Sequence, residues 1–156
     1  MCSKNNRHRN GTEWRNFYGR FKGKSLSAKQ TKTLLTEFKK YSLQNISWEE
    51  NLLRKQVKLS EIFDGKPVWL EIGFGGGEHL IHQAKLNPDI GFIGCEPYQN
   101  GVAKLMGKLN VNPCQNIKLY DGDVRNIFDV LAKNSISKVF LLYPDPWPKK
   151  RHHRRR

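Results

Sequence analysis

From residue 68 onward the chain alternates short apolar runs with stretches of helical character, and no other feature restricts its fold as tightly. Val68 to Ile72 reads as a buried strand, followed by a glycine loop and a helix from about Gly77 to Lys85, which Asn87-Pro88-Asp89 ends. Gly91 to Glu96 is the second strand, with a helix from about Asn100 to Lys108 after it. Asn116 to Tyr120, a shorter helical piece near Ile127 to Ala132 and a strand Lys138 to Tyr143 complete the pattern. Strands joined by helices run parallel with right-handed crossovers, so the pattern predicts an open α/β sheet whose ligands sit beyond the carboxyl ends of its strands.

Upstream the signals are weaker. Residues 1–26 read as a basic mobile arm and residues 27–66 as a helical lead-in to the core, which spans 67–156 and ends in a basic tail. Ser27-Ala28-Lys29-Gln30 has capping-box spacing, and Leu34, Leu35, Phe38 and Tyr41 give the short helix after it an apolar face. Residues 44–66 are polar and weakly patterned, closing on the turn Asp64-Gly65-Lys66-Pro67. At 156 residues the chain has the size of one ordinary domain.

The net charge of +14 is carried by the two ends. Residues 1–24 hold seven Lys/Arg against Glu13 and residues 149–156 hold six with no acid, whereas 25–148 hold 15 against 13 acids. A near-neutral body with cationic ends points to a polyanion, because Lys and Arg on backbone phosphates release counterions. A solubilising tail or an anionic membrane surface is the alternative that charge alone leaves open. Trp14, Phe17, Tyr18 and Phe21 are suited to stacking on unpaired bases or to pinning the arm to the body. A mean hydropathy of −0.71, with no long apolar run and no apolar stretch behind Met1, predicts a cytoplasmic protein with no membrane segment. Cys2, Cys95 and Cys114 lack the spacing of a zinc site or a disulfide framework and read as reduced thiols.

The chemistry is written at the strand ends. After the first strand comes Glu71-Ile72-Gly73-Phe74-Gly75-Gly76-Gly77, where glycine lets a ligand approach the backbone. The dinucleotide fingerprint would need glycine at 78, and this chain has Glu78, which a pyrophosphate disfavours. The E-x-G-x-G-x-G spacing instead suits an amino-acid head group, its carboxylate met by helix N-terminal amides and its ammonium by Glu71. Glu96, at the end of strand two, is placed to accept both hydroxyls of a ribose. After strand three, Asp121-Gly122-Asp123 offers a carboxylate that suits an adenine amino group. Each acid alone is equally readable as a helix cap or surface charge, and the glycines as a tight turn. Three acids at three consecutive strand ends outline an amino acid, a ribose and an adenine, which is the shape of S-adenosylmethionine. His79 and His82 lie three apart without a third ligand, so no metal is expected.

After strand four, Pro144-Asp145-Pro146-Trp147-Pro148 fixes an extended backbone around one carboxylate, and cations follow to Arg156. Trp147 is read as packing this loop in preference to stacking on a base. With LEIGFGGGEHL (70–80), IGCEPYQNGVAKL (93–105), VFLLYPDPWPKKRHHRRR (139–156) and the arm NFYGRFKGKSLS (16–27), the chain resembles the bacterial tRNA (guanine-N7)-methyltransferases. The resemblance covers essentially the whole chain and implies a Rossmann-like, S-adenosylmethionine-dependent methyltransferase fold with strand order 3-2-1-4. It implies cofactor contacts from Glu71, Gly73, Gly75, Glu96, Asp123 and Asp145. It makes Asp145 the catalytic residue and Lys149 a substrate contact, and it lays Arg151, His152, His153, Arg154, Arg155 and Arg156 on RNA. The target it implies is a variable-loop guanine of tRNA, modified to 7-methylguanosine.

Methyl transfer from a sulfonium to guanine N7 needs no strong base, because no proton must leave the nucleophile for the bond to form. Orientation carries most of the rate, and a carboxylate such as Asp145 favours positive charge arriving on the purine. The alternative reading is a non-catalytic basic RNA-binding or assembly module that keeps the fold, against which Glu71, Glu96 and Asp145 speak. The family pattern continues with further strands and a later substrate-binding Asp and a Thr-containing motif that this chain does not supply. Val139 to Leu142 are accordingly expected on an open edge, residues 1–156 alone are expected to bind the cofactor weakly at best and turn over negligibly, and activity is expected to require a further subdomain of roughly 60 to 80 residues or a partner chain. The sequence leaves the oligomeric state open.

Overall fold

A computed structural model describes residues 21–142 and 150. Its centre is a four-stranded, all-parallel sheet built from β1 (Val68–Ile72), β2 (Gly91–Cys95), β3 (Ile117–Tyr120) and β4 (Lys138–Leu141), in the order β3-β2-β1-β4. The order and the parallel sense are those expected, and the central strands are buried on both faces, as helical crossovers require. Leu70, Ile93 and Tyr120 face one apolar layer and Trp69, Phe92, Ile117 and Leu119 the other, so both faces must be covered and helical crossovers cover them.

On the second face lie α1 (Ala28–Tyr41), α3 (Glu78–Leu86) and α4 (Gln99–Val111). Helix α1 starts as its capping box predicts: Ser27 Oγ accepts the Gln30 N–H, and Gln30 Oε1 accepts the Ser27 N–H. Leu34, Phe38 and Tyr41 pack inward, but Leu35 is 80 % exposed. The expected four-residue face is therefore three residues wide, because Leu35 is turned about 100° around the axis from Leu34.

On the first face lie α2 (Leu59–Ile62), α5 (Val124–Phe128) and the loop before them. That loop, weakly patterned in sequence, is organised by two polar side chains. Asn51 donates to the carbonyls of Asn45 and Lys55 and accepts the Lys55 N–H, while Arg54 donates to the carbonyls of Ile46 and Asn126 and stacks over Trp48. Helix α5 begins three residues and ends four residues earlier than expected. Asp123 caps it, and the chain then straightens so that the Val130 carbonyl accepts the Val57 N–H.

Strand β4 borders only β1 among the described residues. Val139 and Leu141 are aligned with Leu70 and Ile72 and stand 51 % and 58 % exposed, the open apolar edge that the sequence predicts. On the opposite face Phe140 meets Trp69 edge-on, with the Lys138 ammonium 4.0 Å above the Trp69 ring.

Candidate cofactor site

The carboxyl ends of β1 and β2 are adjacent in the sheet, and Glu71, Gly73, Gly75 and Glu96 gather there. Glycines 73, 75 and 77 all have φ between 57° and 75°, which side-chain-bearing residues rarely adopt, so glycine gives the loop this shape at the least strain. A Cβ at Gly73 or Gly75 would meet nothing within 4 Å, so open space borders the backbone there. Gly77 differs: its missing Cβ leaves room for Leu105, which fastens the start of α3 to α4.

Glu96 ties the two strand ends together. Its Oε2 accepts the Gly75 N–H at 2.8 Å and its Oε1 accepts the Tyr98 N–H at 2.9 Å. Each oxygen keeps a further lone pair, as two ribose hydroxyls would require. Gly101 lies so close behind that a Cβ would stand 2.5 Å from the Gly75 carbonyl oxygen. Beside it, the segment leaving the amino-terminal arm is strapped down: the Phe21 carbonyl accepts the Gln99 N–H, and Asn100 bonds the Gly23 N–H and the Lys24 carbonyl.

Glu71 is buried, 3 % exposed, and its Oε2 lies 2.8 Å from His79 Nδ1. Burial pushes this carboxyl above the usual range, and the hydrogen bond to His79 works against that shift. No other hydrogen bond reaches the carboxylate among the described residues. Glu78, which replaces the fingerprint glycine, is drawn to α4 by the Lys108 ammonium, which also bonds the Gly76 carbonyl; that ammonium holds the Glu78 carboxyl below its usual range.

Asp123 follows β3 as expected, but its carboxylate is already engaged. It caps α5 through the Arg125 N–H and receives the Arg125 guanidinium on both oxygens. The ion pair in turn raises Arg125 further above its ordinary value. An adenine amino group at Asp123 would share it with Arg125.

Asp145, Lys149, Arg151, His152, His153, Arg154, Arg155 and Arg156 lie outside the described residues. His79 and His82 join no group of three metal-ligating side chains among the described residues. Cys95 and Cys114 are free and buried, and burial drives the Cys95 thiol far above its ordinary value. None of the described helices is long and apolar enough to cross a membrane. The pairing of His79 with Glu71 has no signature of its own in the sequence, where the His79–His82 spacing suggests only a metal ligand. The usable signal is the glycine loop itself, which returns the chain so that the second residue of α3 faces the fourth of β1.

Residues 65–156 match the family model described as "Putative methyltransferase". The chain belongs to this methyltransferase family. It is also similar to curated proteins named tRNA (guanine-N(7)-)-methyltransferase. One from a Ruegeria species is 54% identical over 96% of this chain and 59% of its own length. Those of Roseobacter denitrificans and Cereibacter sphaeroides are 58% and 55% identical, over 91% and 94% of this chain and 61% of theirs. This methyltransferase chain thus spans about three fifths of the length of these relatives.

Proposed function

We propose that this chain carries the cofactor site of a tRNA (guanine-N7)-methyltransferase that uses S-adenosylmethionine and works in the cytoplasm. The observation that carries the reading is the meeting of Glu71, the open glycine backbone and Glu96 at two adjacent strand ends. It occurs in a chain more than half identical to proteins of that name.

The residues present fit the cofactor. Glu71 holds an ammonium on the carboxylate oxygen that His79 leaves open, and Gly73 and Gly75 admit the amino-acid head group against bare backbone. Glu96, kept in place by the Gly75 and Tyr98 amides, takes the ribose hydroxyls, and Asp123 bears on the adenine. When bound, S-adenosylmethionine supplies the electrophilic methyl group. Asp145 favours the positive charge that appears on the purine, Lys149 contacts the substrate, and Arg151, His152, His153, Arg154, Arg155 and Arg156 hold tRNA phosphates.

The test incubates bulk tRNA with radiolabelled S-adenosylmethionine and two proteins: the chain itself, and the chain extended by the part of the Ruegeria relative beyond the matched region. Label recovered at 7-methylguanine, mapped by strand cleavage at that base, supports the reading. No label with either protein, while the intact relative is active beside them, overturns it.

A further inference from the structure

Glu71 and Phe140 are direct neighbours across the β1–β4 register, and His79, from the first turn of α3, touches both. Its Nδ1 lies 2.8 Å from Glu71 Oε2, and its ring stands edge-on to Phe140 with centroids 4.9 Å apart and an interplanar angle of 71°. An ionised carboxylate only accepts, so Nδ1 carries the proton and donates it, and Phe140 sets the tilt of the ring. The Glu71 side chain is 4 % exposed and the His79 side chain 32 %, so the imidazole stands between the buried carboxylate and solvent.

We infer that His79 is a positioning residue of the cofactor site, holding Glu71 so that its second oxygen faces the ammonium of the amino-acid head group. The inference rests on the cofactor reading above and adds a residue to it. A buried carboxylate with no donor meets its desolvation uncompensated and is free to rotate about its side-chain torsions. With Oε2 pinned by His79, one oxygen is left for one further donor, and a single cation is what the remaining lone pairs take up. His79 touches the head group only through Glu71, so its removal acts on ligands with an α-amino group and spares those without one.

Calorimetry on the full chain separates these cases with two ligands, S-adenosylhomocysteine and 5′-methylthioadenosine, which shares the adenosine and sulfur but lacks the amino acid. His79→Leu should weaken S-adenosylhomocysteine about tenfold, the usual scale for losing a hydrogen bond to a charged group, and leave methylthioadenosine unchanged. His79→Asn, whose amide reaches the place of Nδ1, should restore most of the loss, whereas His79→Gln, a methylene longer, should not. Should the leucine variant fail to fold, the contrast between Asn and Gln carries the same test. Equal weakening of both ligands, or no weakening of either, overturns the positioning role while leaving the cofactor reading intact. A parent chain that binds neither ligand overturns both.

Discussion

Glu96 and Gly75 are joined by a hydrogen bond of 2.8 Å from the glycine N–H to the carboxylate. The same carboxylate holds Tyr98, so a residue expected to bind ribose also fixes the loop expected to receive the head group. Glu96→Ala should therefore cost twice. Affinity for S-adenosylhomocysteine should fall by about 1 to 3 kcal/mol as charge-assisted bonds to the ribose are lost. Stability should also fall, because the Gly75 and Tyr98 amides lose their acceptor. Calorimetry and urea unfolding measure the two effects, and unchanged affinity would remove Glu96 from the pocket.

Two glycines of α4 should respond to alanine with opposite signs. At Gly101 the new methyl would stand 2.5 Å from the Gly75 carbonyl oxygen, a backbone atom that must move with its loop. Overpacking of this kind costs about 1 to 3 kcal/mol. At Gly107 nothing lies within 4 Å and the position is exposed, so alanine should stabilise by about 0.5 to 1 kcal/mol through backbone entropy. Thermal unfolding of the two variants should shift in opposite directions; equal shifts would contradict the packing described here.

The strands and the acids at their ends were legible because each depends on local pattern, whereas the strand order followed from the family resemblance. Val68 to Ile72 is apolar on both faces as a central parallel strand must be, and Glu71 and Glu96 interrupt such runs where no core would want them. What stayed hidden is made by contacts distant in sequence or carried by polar residues. The loop around Asn51 and Arg54 is held by hydrogen bonds to carbonyls, which any residue can offer, so no composition announces it. Arg125 reads as an ordinary helix cation, and only the cap geometry turns it back onto Asp123. Leu35 looks like core on a helical wheel until the width of the partner surface is known.

Glu71→Gln should separate stability from binding. Burial raises the native Glu71 pKa above its ordinary 4.5, so between those two values the native state binds more protons than the unfolded chain. The parent consequently loses stability as pH rises through that window, the penalty of charging a buried carboxyl. Glutamine carries no such penalty. The variant should be as stable as the parent or more so at pH 7, with the margin shrinking as pH falls toward 4.5, while its affinity for S-adenosylhomocysteine drops. Urea unfolding at several pH values reads the first effect. A margin that widens on acidification would mean that burial does not oppose the charge of Glu71.

Replacing Arg154, Arg155 and Arg156 with alanine tests the tail on RNA. Phosphate contacts release counterions, so the logarithm of the tRNA association constant falls with the logarithm of salt concentration, by about 0.9 per contact on duplex and about 0.7 on single strands. Losing three arginines that each neutralise a phosphate should flatten the slope by up to about 2.7 and weaken binding most at low salt. Cofactor affinity should be unchanged, because the cofactor site at Glu71, Gly75 and Glu96 is built by β1, β2 and the loops that follow them. Filter binding across a salt series distinguishes this from a tail that only adds solubility: parallel slopes for parent and variant would take these arginines off the RNA. A lost cofactor affinity with an unchanged slope would instead place the tail against the pocket.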